Sequence, residues 1–300
     1  MREFMTVMAF TLKENARKKV FIIATLITIL LVVLSISIPA VSIHRARGET
    51  GLTEITDGLE ALQGNNINDY IMSIIIVTLI FLAIYFYSYG VSMSIASEKT
   101  LRVMEILLTS TKPSAIILGK SVAMGLLGLG QFLSVTLAGF LTYITVFPKD
   151  YIIGKEFLDL SGLNPFTIIM LFLYFLLGYS VYAMINAVAG ATVSKAEDIS
   201  AALIPLSIIT LIAYYVSISV LAQPNGLYAK VISIIPFSSP LAMPCRLMMS
   251  EVASVEIIVS ILLLVLSICV LSCLSVKIYS NAVLHYGKRM NIGDIVKLFR

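Results

Sequence analysis

Apolar residues along this chain fall into six long runs parted by shorter polar stretches. The runs cover 20–43, 70–94, 121–147, 166–193, 199–222 and 255–278. Each is long enough to cross a bilayer as a helix, which takes about 20 residues. Ahead of the first run, Met1, Phe4, Met5, Met8 and Leu12 recur at helical spacing opposite Arg2, Glu3, Lys13 and Glu14. Residues 1–19 therefore read as an amphipathic helix lying at a membrane surface. The pattern predicts an all-α polytopic membrane protein, with one transmembrane domain over 1–300 and six spanning helices. Composition agrees: 59% of the 300 residues are hydrophobic and 13% charged, against about 25% charged in soluble domains. A cleaved signal peptide is the rival reading of 20–43, but the run outlasts the roughly 7–15 apolar residues of a signal sequence.

The most informative interruption is 98–120, EKTLRVMEILLTSTKPSAIILGK. On a helical wheel Glu98, Arg102, Glu105 and Thr109 share one face, while Leu101, Val103, Met104, Leu107 and Leu108 cover most of the other. Ser97 is placed to N-cap such a helix, with Glu98 at the positive end of its dipole, and Pro113 ends it. The spacing predicts a surface helix over 97–109. It is either a docking surface for a soluble partner or an ordinary amphipathic loop. Lys120, at the start of the third run, is expected to snorkel to the interface.

A second unusual stretch is 223–254. Pro236, Pro240 and Pro244 repeat every four residues inside IIPFSSPLAMPCRLMMS. Prolines break a spanning helix, yet the segment is too apolar for a free loop. It reads as two short helices dipping into one membrane face, their irregular backbone shielded by protein. Within the runs, Gln131 and Asn186 are candidates for bonds across helices, with a path-lining role for Asn186 as the alternative. Tyr85, Tyr87 and Tyr89 read as an interfacial belt, with a substrate-lining role as the alternative.

The 98–120 stretch resembles the cytoplasmic loop of ABC-2 type transporter permeases. That family shows an E-K, then E-x-L-L, a proline, and G-K opening the next span; Glu98-Lys99, Glu105, Leu107-Leu108, Pro113 and Gly119-Lys120 match it. Pro236, Pro240 and the later Arg246 also fit the family, where this region forms external or re-entrant helices. The likeness covers essentially the whole chain and is closest to the sodium-extrusion (NatB-like) branch. It implies a cytoplasmic coupling helix, with Glu98, Arg102 and Glu105 meeting a separate ABC ATPase that binds ATP and Mg. It also implies pairing with a second permease copy or a homologous permease. Export is implied, of Na⁺ or of a drug, peptide or lipid.

Candidate chemistry elsewhere is sparse. Gly119-Lys120-Ser121 ends like a phosphate-binding loop, but Ser114 stands where that loop needs its first glycine, so no ATP site is expected on this chain. Cys245, Cys269 and Cys273 read as small packing residues. His44 and His285 lie apart and outside any zinc-protease pattern, so the chain is expected to be non-catalytic, without a metal site. The net charge of +4 comes from basic residues that flank the apolar runs, which gives no nucleic-acid patch. Of the 21 Lys and Arg, 15 fall in 1–19, 95–120, 194–198 and 277–300. The positive-inside rule then places both termini and 98–120 in the cytoplasm of a cell-membrane protein. A secondary transporter driven by an ion gradient is the competing reading, but the centres of the runs hold no ionisable residue of the kind that marks ion paths.

Overall fold

The structure is a computed structural model and describes residues 2–46, 66–100, 111–146, 164–193 and 195–282. Nine α-helices occupy the described residues: α1 (Arg2–Ala16), α2 (Lys19–Ala46), α3 (Asn66–Thr100), α4 (Pro113–Val146), α5 (Pro165–Thr192), α6 (Ile199–Ser219), α7 (Leu227–Ile232), α8 (Ser239–Met249) and α9 (Ser254–Ala282). Short 3₁₀ turns, Ala196–Asp198 and Val220–Ala222, flank α6.

Among the described residues, five stretches are long and apolar enough to cross a membrane: Met72–Thr100, Pro113–Thr142, Pro165–Thr192, Ala196–Ala222 and Ser254–Asn281. The remaining expected span, 20–43, lies along α2, whose shorter apolar run is Phe21–Leu34. The loops 47–65 and 147–163, the segment 101–110 and the tail beyond 282 lie outside the described residues.

Helix ends differ from the apolar boundaries for local reasons. Pro113 does not merely stop what precedes it. It opens α4, because its fixed φ suits the first helical turn, and Lys112 O accepts from Ala115 N and Ile116 N. At α5, Asn164 Oδ1 accepts from Thr167 N at 2.8 Å and Pro165 follows it, a cap and a first-turn proline in succession. Hydroxyls inside the apolar helices turn back on the preceding turn. Thr25 donates to Phe21 O, Thr78 to Ile74 O and Ser121 to Ile117 O, which satisfies them without water.

Helix α3 is the centre of the bundle. Val77, Ile80, Ile84, Tyr87 and Val91 are buried at alternating three- and four-residue steps, the seam that packs one helix along another. Its most extensive contact is α5. One core cluster joins this seam to Met124 and Leu127 of α4, Phe175 and Tyr179 of α5, and Leu241 and Cys245 of α8. Tyr87 is therefore in the core and not in an interfacial belt. Its hydroxyl donates to Gln131 Oε1, while Gln131 Nε2 donates to Thr28 Oγ1 at 3.4 Å, so this glutamine links α2, α3 and α4.

Two ends of the bundle follow from the chain direction. The near end gathers α1, the C-terminus of α3, the N-terminus of α4 and the C-terminus of α5. The far end carries α7 and α8. The turn before α8 reaches deep from that end: Phe237 O accepts from the hydroxyl of Tyr182, which lies near the middle of α5, at 2.8 Å. Gly178 makes room for Pro240 there.

Candidate functional site

At the near end, α3 continues through Thr100 without a break. Ser97 is inside that helix and donates to Ser94 O at 3.0 Å. It does not cap a new helix, because the apolar seam of α3 carries the backbone past it. Glu98 consequently lies on the last turn of a long helix and not on the water-facing side of a separate one. Its Oε1 meets Lys120 Nζ at 2.5 Å. Lys120 is 1% exposed and also donates to Ser94 Oγ at 2.7 Å. The snorkelling expected of Lys120 does not occur, because a carboxylate waits inside the bundle. Arg102 and Glu105, the other two residues of the expected coupling set, lie outside the described residues.

The neighbouring lysine takes a different partner. Lys99, also 1% exposed, donates from Nζ to Ala191 O at 2.6 Å. Ala191 lies in the last turn of α5, where carbonyls lack helical partners and the dipole favours a cation. Thr100 Oγ1 then accepts from Ala196 N at 2.9 Å. The last three residues of α3 thus reach α4, α5 and the turn leading to α6.

Gly119 explains how α1 joins this end. A Cβ on it would lie 3.0 Å from Val7 Cγ1 and 3.2 Å from Phe4 O, so its bareness lets α1 cross closely over α4. Glu3 Oε2 accepts from Lys112 N at 3.2 Å, a carboxylate at the positive end of α4. The Gly119-Lys120 pair thereby packs against α1 and Glu98.

Between α3, α5 and α6 lies a pocket lined by Tyr85, Ser88, Tyr89, Asn186, Ser207 and Thr210 with Leu203 and Leu206. Tyr85 OH and Ser207 Oγ are 3.1 Å apart. Asn186 also ties helices together: Ser92 Oγ donates to its backbone O at 2.5 Å and to its Oδ1 at 3.1 Å. Its Nδ2 donates to Tyr182 O.

The far end is held by Arg246. It is 1% exposed and spends its guanidinium on three elements. Nε donates to Pro224 O and Nη1 to Ser233 Oγ, each at 2.8 Å, and Nη2 lies 2.6 Å from Glu256 Oε2. Lys230 Nζ approaches the other oxygen of Glu256 at 3.2 Å. A planar, always-charged fork suits such a junction. Of the expected structural residues, Pro236 lies in the turn before α8, Pro240 in its first turn, and Pro244 within it. Sequence reading missed Ser94, Lys99, Lys230 and Glu256. The signal available was the opposite charge of Glu98 and Lys120 at facing ends of two consecutive helices.

Among the described residues, an all-helical bundle with five membrane-long helices, most of its buried polar side chains bonded within it and its charges gathered at its two ends, defines a multi-pass membrane domain. Residues 46–277 match the family model described as ABC-2 family transporter protein. The chain belongs to that family, and its helices form the family's membrane domain.

Two relatives each match about three quarters of the chain. The "Uncharacterized protein YhaP" of Bacillus subtilis (strain 168) is 30% identical over 228 residues, covering 75% of this chain and 54% of that protein. The "Uncharacterized protein MJ1024" of Methanocaldococcus jannaschii is 27% identical over 225 residues, 74% of this chain and 52% of that protein. The chain spans about half the length of these curated relatives.

Proposed function

We propose that the chain is the permease subunit of an ATP-driven ABC exporter, working as a homo- or heterodimer with a separate ATPase that supplies ATP and Mg chemistry. Family membership over 46–277 carries this reading. The engagement of Lys120 by Glu98 and Ser94 supports it, because the one phosphate-loop-like triplet of the chain is taken up in packing. The near end faces the cytoplasm, in line with the distribution of basic residues. There the connection 101–112 meets the ATPase, with Arg102 and Glu105 as its contact residues. Helix α2 is the sixth span, α1 lies in the cytoplasmic interface, and α7 and α8 form the external re-entrant pair.

For the cargo, an amphiphile would pass along the interface between the paired permeases, because the pocket between α3, α5 and α6 is only water-sized and its one amide, Asn186, is already bonded to Ser92 and Tyr182. The charged residues of the described spans sit near helix ends, so a desolvated Na⁺, which the sodium-extrusion branch implies, meets no carboxylate at mid-depth. The test is reconstitution of the chain with its ATPase in proteoliposomes, followed with a fluorescent amphiphile and with radioactive Na⁺. ATP-dependent movement of the amphiphile supports the reading. Movement of Na⁺ alone reassigns the cargo to the sodium branch, and gradient-driven transport without any ATPase overturns the exporter reading.

A further inference from the structure

The near-end motif contains more charge than docking to a partner requires. Two lysines and an acid are drawn into the bundle, although a lysine at a membrane surface ordinarily keeps its ammonium in water at little cost. Burial of an ammonium needs a partner held in good geometry. Each lysine has one, and the partners belong to different helices.

The geometry points to Glu98, Lys99 and Lys120 as positioning residues, an ionic clasp that binds the ends of α3, α4 and α5 so that displacement of the 101–112 connection reaches all three together. This rests on the ATPase-driven reading above and assigns Glu98 a different part in it. Glu98 does not reach outward to a partner; it faces Lys120 at 2.5 Å with its side chain 17% exposed.

The connection 101–112 leaves from the last turn of α3 and returns at the first turn of α4. The Glu98–Lys120 pair crosses between these two helices. Ser94, one turn before Glu98, takes a second proton of Lys120 at 2.7 Å and fixes the direction of its ammonium. Lys99 extends the junction to α5 through Ala191 O. Gly119, beside Lys120 in the chain, leaves the room that α1 needs to lie across the same level of α4. A push on the connection cannot tilt α3 without carrying α4 and α5, unless the clasp breaks.

The experiment compares the full chain with Glu98→Gln, Glu98→Asp and the exchanged pair Glu98→Lys/Lys120→Glu, in nanodiscs and in the reconstituted complex. Amide hydrogen exchange is read over 94–100 and 113–120, and the cargo readout is the fluorescent amphiphile, or radioactive Na⁺ if that is what moves, transported per ATP in proteoliposomes. Glu98→Gln is expected to speed exchange in both segments together by about tenfold or more while the ATPase still co-purifies. Cargo per ATP then falls about fivefold, and the exchanged pair returns both readouts most of the way.

Unchanged amide exchange in Glu98→Gln overturns the clasp. Faster exchange with unchanged cargo per ATP overturns its positioning role and leaves a purely structural pair. Should Glu98→Gln fail to assemble, Glu98→Asp, which keeps the charge and shortens the reach, must lower cargo per ATP. If the unaltered chain recruits no ATPase, the exporter reading falls, while the exchange data still decide whether the clasp exists.

Discussion

Gly190 of α5 rests directly on the backbone of Ser92 in α3: a Cβ on Gly190 would lie 2.6 Å from Ser92 O and 2.9 Å from Ser92 Cα. Backbone cannot yield as the tip of a side chain can. The same serine donates to Asn186 O one turn away, so contact and hydrogen bond fix a single register between the two helices. Gly190→Val is expected to force the helices apart and destabilise the protein by at least the roughly 1–3 kcal/mol of an overpacked core. Gly130 faces open space, so Gly130→Ala should be neutral or gain up to about 1 kcal/mol of helix propensity. Thermal unfolding in detergent checks both. Equal effects of the two substitutions would sink the close-approach account.

Arg246 and Lys230 both approach Glu256, but they are not equivalent. Arg246 is buried, whereas the side chain of Lys230 is 45% exposed. Arg246→Met removes the buried one of the two partners of Glu256 and frees Pro224 O and Ser233 Oγ, at an expected cost of about 3–5 kcal/mol. Lys230→Met should cost at most about 1 kcal/mol, the worth of a surface pair. Limited proteolysis between α7 and α8, together with melting, measures the difference. A larger loss from Lys230→Met would contradict this ranking.

Burial pushes the Cys245 thiol from its ordinary 9.0 up to about 12. The reactive species is the thiolate, so Cys245 in the folded protein should resist alkylation at pH 8 and react fully once denatured. The stability consequence has a definite sign. Between pH 9 and about 12 the unfolded thiol ionises while the folded one stays protonated, so this group lowers stability as pH rises through that window and has no effect below it. Equal alkylation rates before and after denaturation at pH 8 would falsify the assignment.

Sidedness is checked by single cysteines in a background with Cys245, Cys269 and Cys273 replaced by serine. Membrane-impermeant maleimide on intact cells should label Gly58→Cys or Ile153→Cys and spare Ser110→Cys or Asn291→Cys. Strong labelling at Ser110→Cys would invert the orientation drawn from the basic residues.

Five of the six expected spans were legible because a membrane-long helix leaves a long apolar run that no local context disguises. The irregular stretch at 223–254 was legible from its cluster of three prolines, although a single proline does not mark such a stretch: Pro244 lies inside α8 and Pro205 inside α6. Glu98 and Lys120 were not, for a physical reason. A helical wheel reports the neighbours of a residue within its own helix, and Glu98 shares a face there with Arg102 and Glu105. Its observed partner is on the next helix, and nothing local distinguishes an acid that faces water from one that faces a lysine across a helix pair. Tyr87 misled in the same way, since it lies toward the end of the apolar run 70–94, where an interfacial belt is expected, although α3 continues well past it to Thr100. Ser97 failed as a cap because the packing of α3 outweighs a capping preference of about 1 kcal/mol.

The guanidinium of Arg246 also constrains the order in which this protein is made. Ribosomal synthesis delivers α7 and α8 before the first turn of α9, so for a short interval Arg246 exists without Glu256. An arginine in that state resists transfer out of water. The α7–α8 hairpin can therefore seat against Tyr182 and Gly178 only as α9 arrives with its carboxylate. Biogenesis of the far end is thereby tied to the insertion of α9. A chain truncated before Glu256 would leave this hairpin unseated, even with every preceding helix in place.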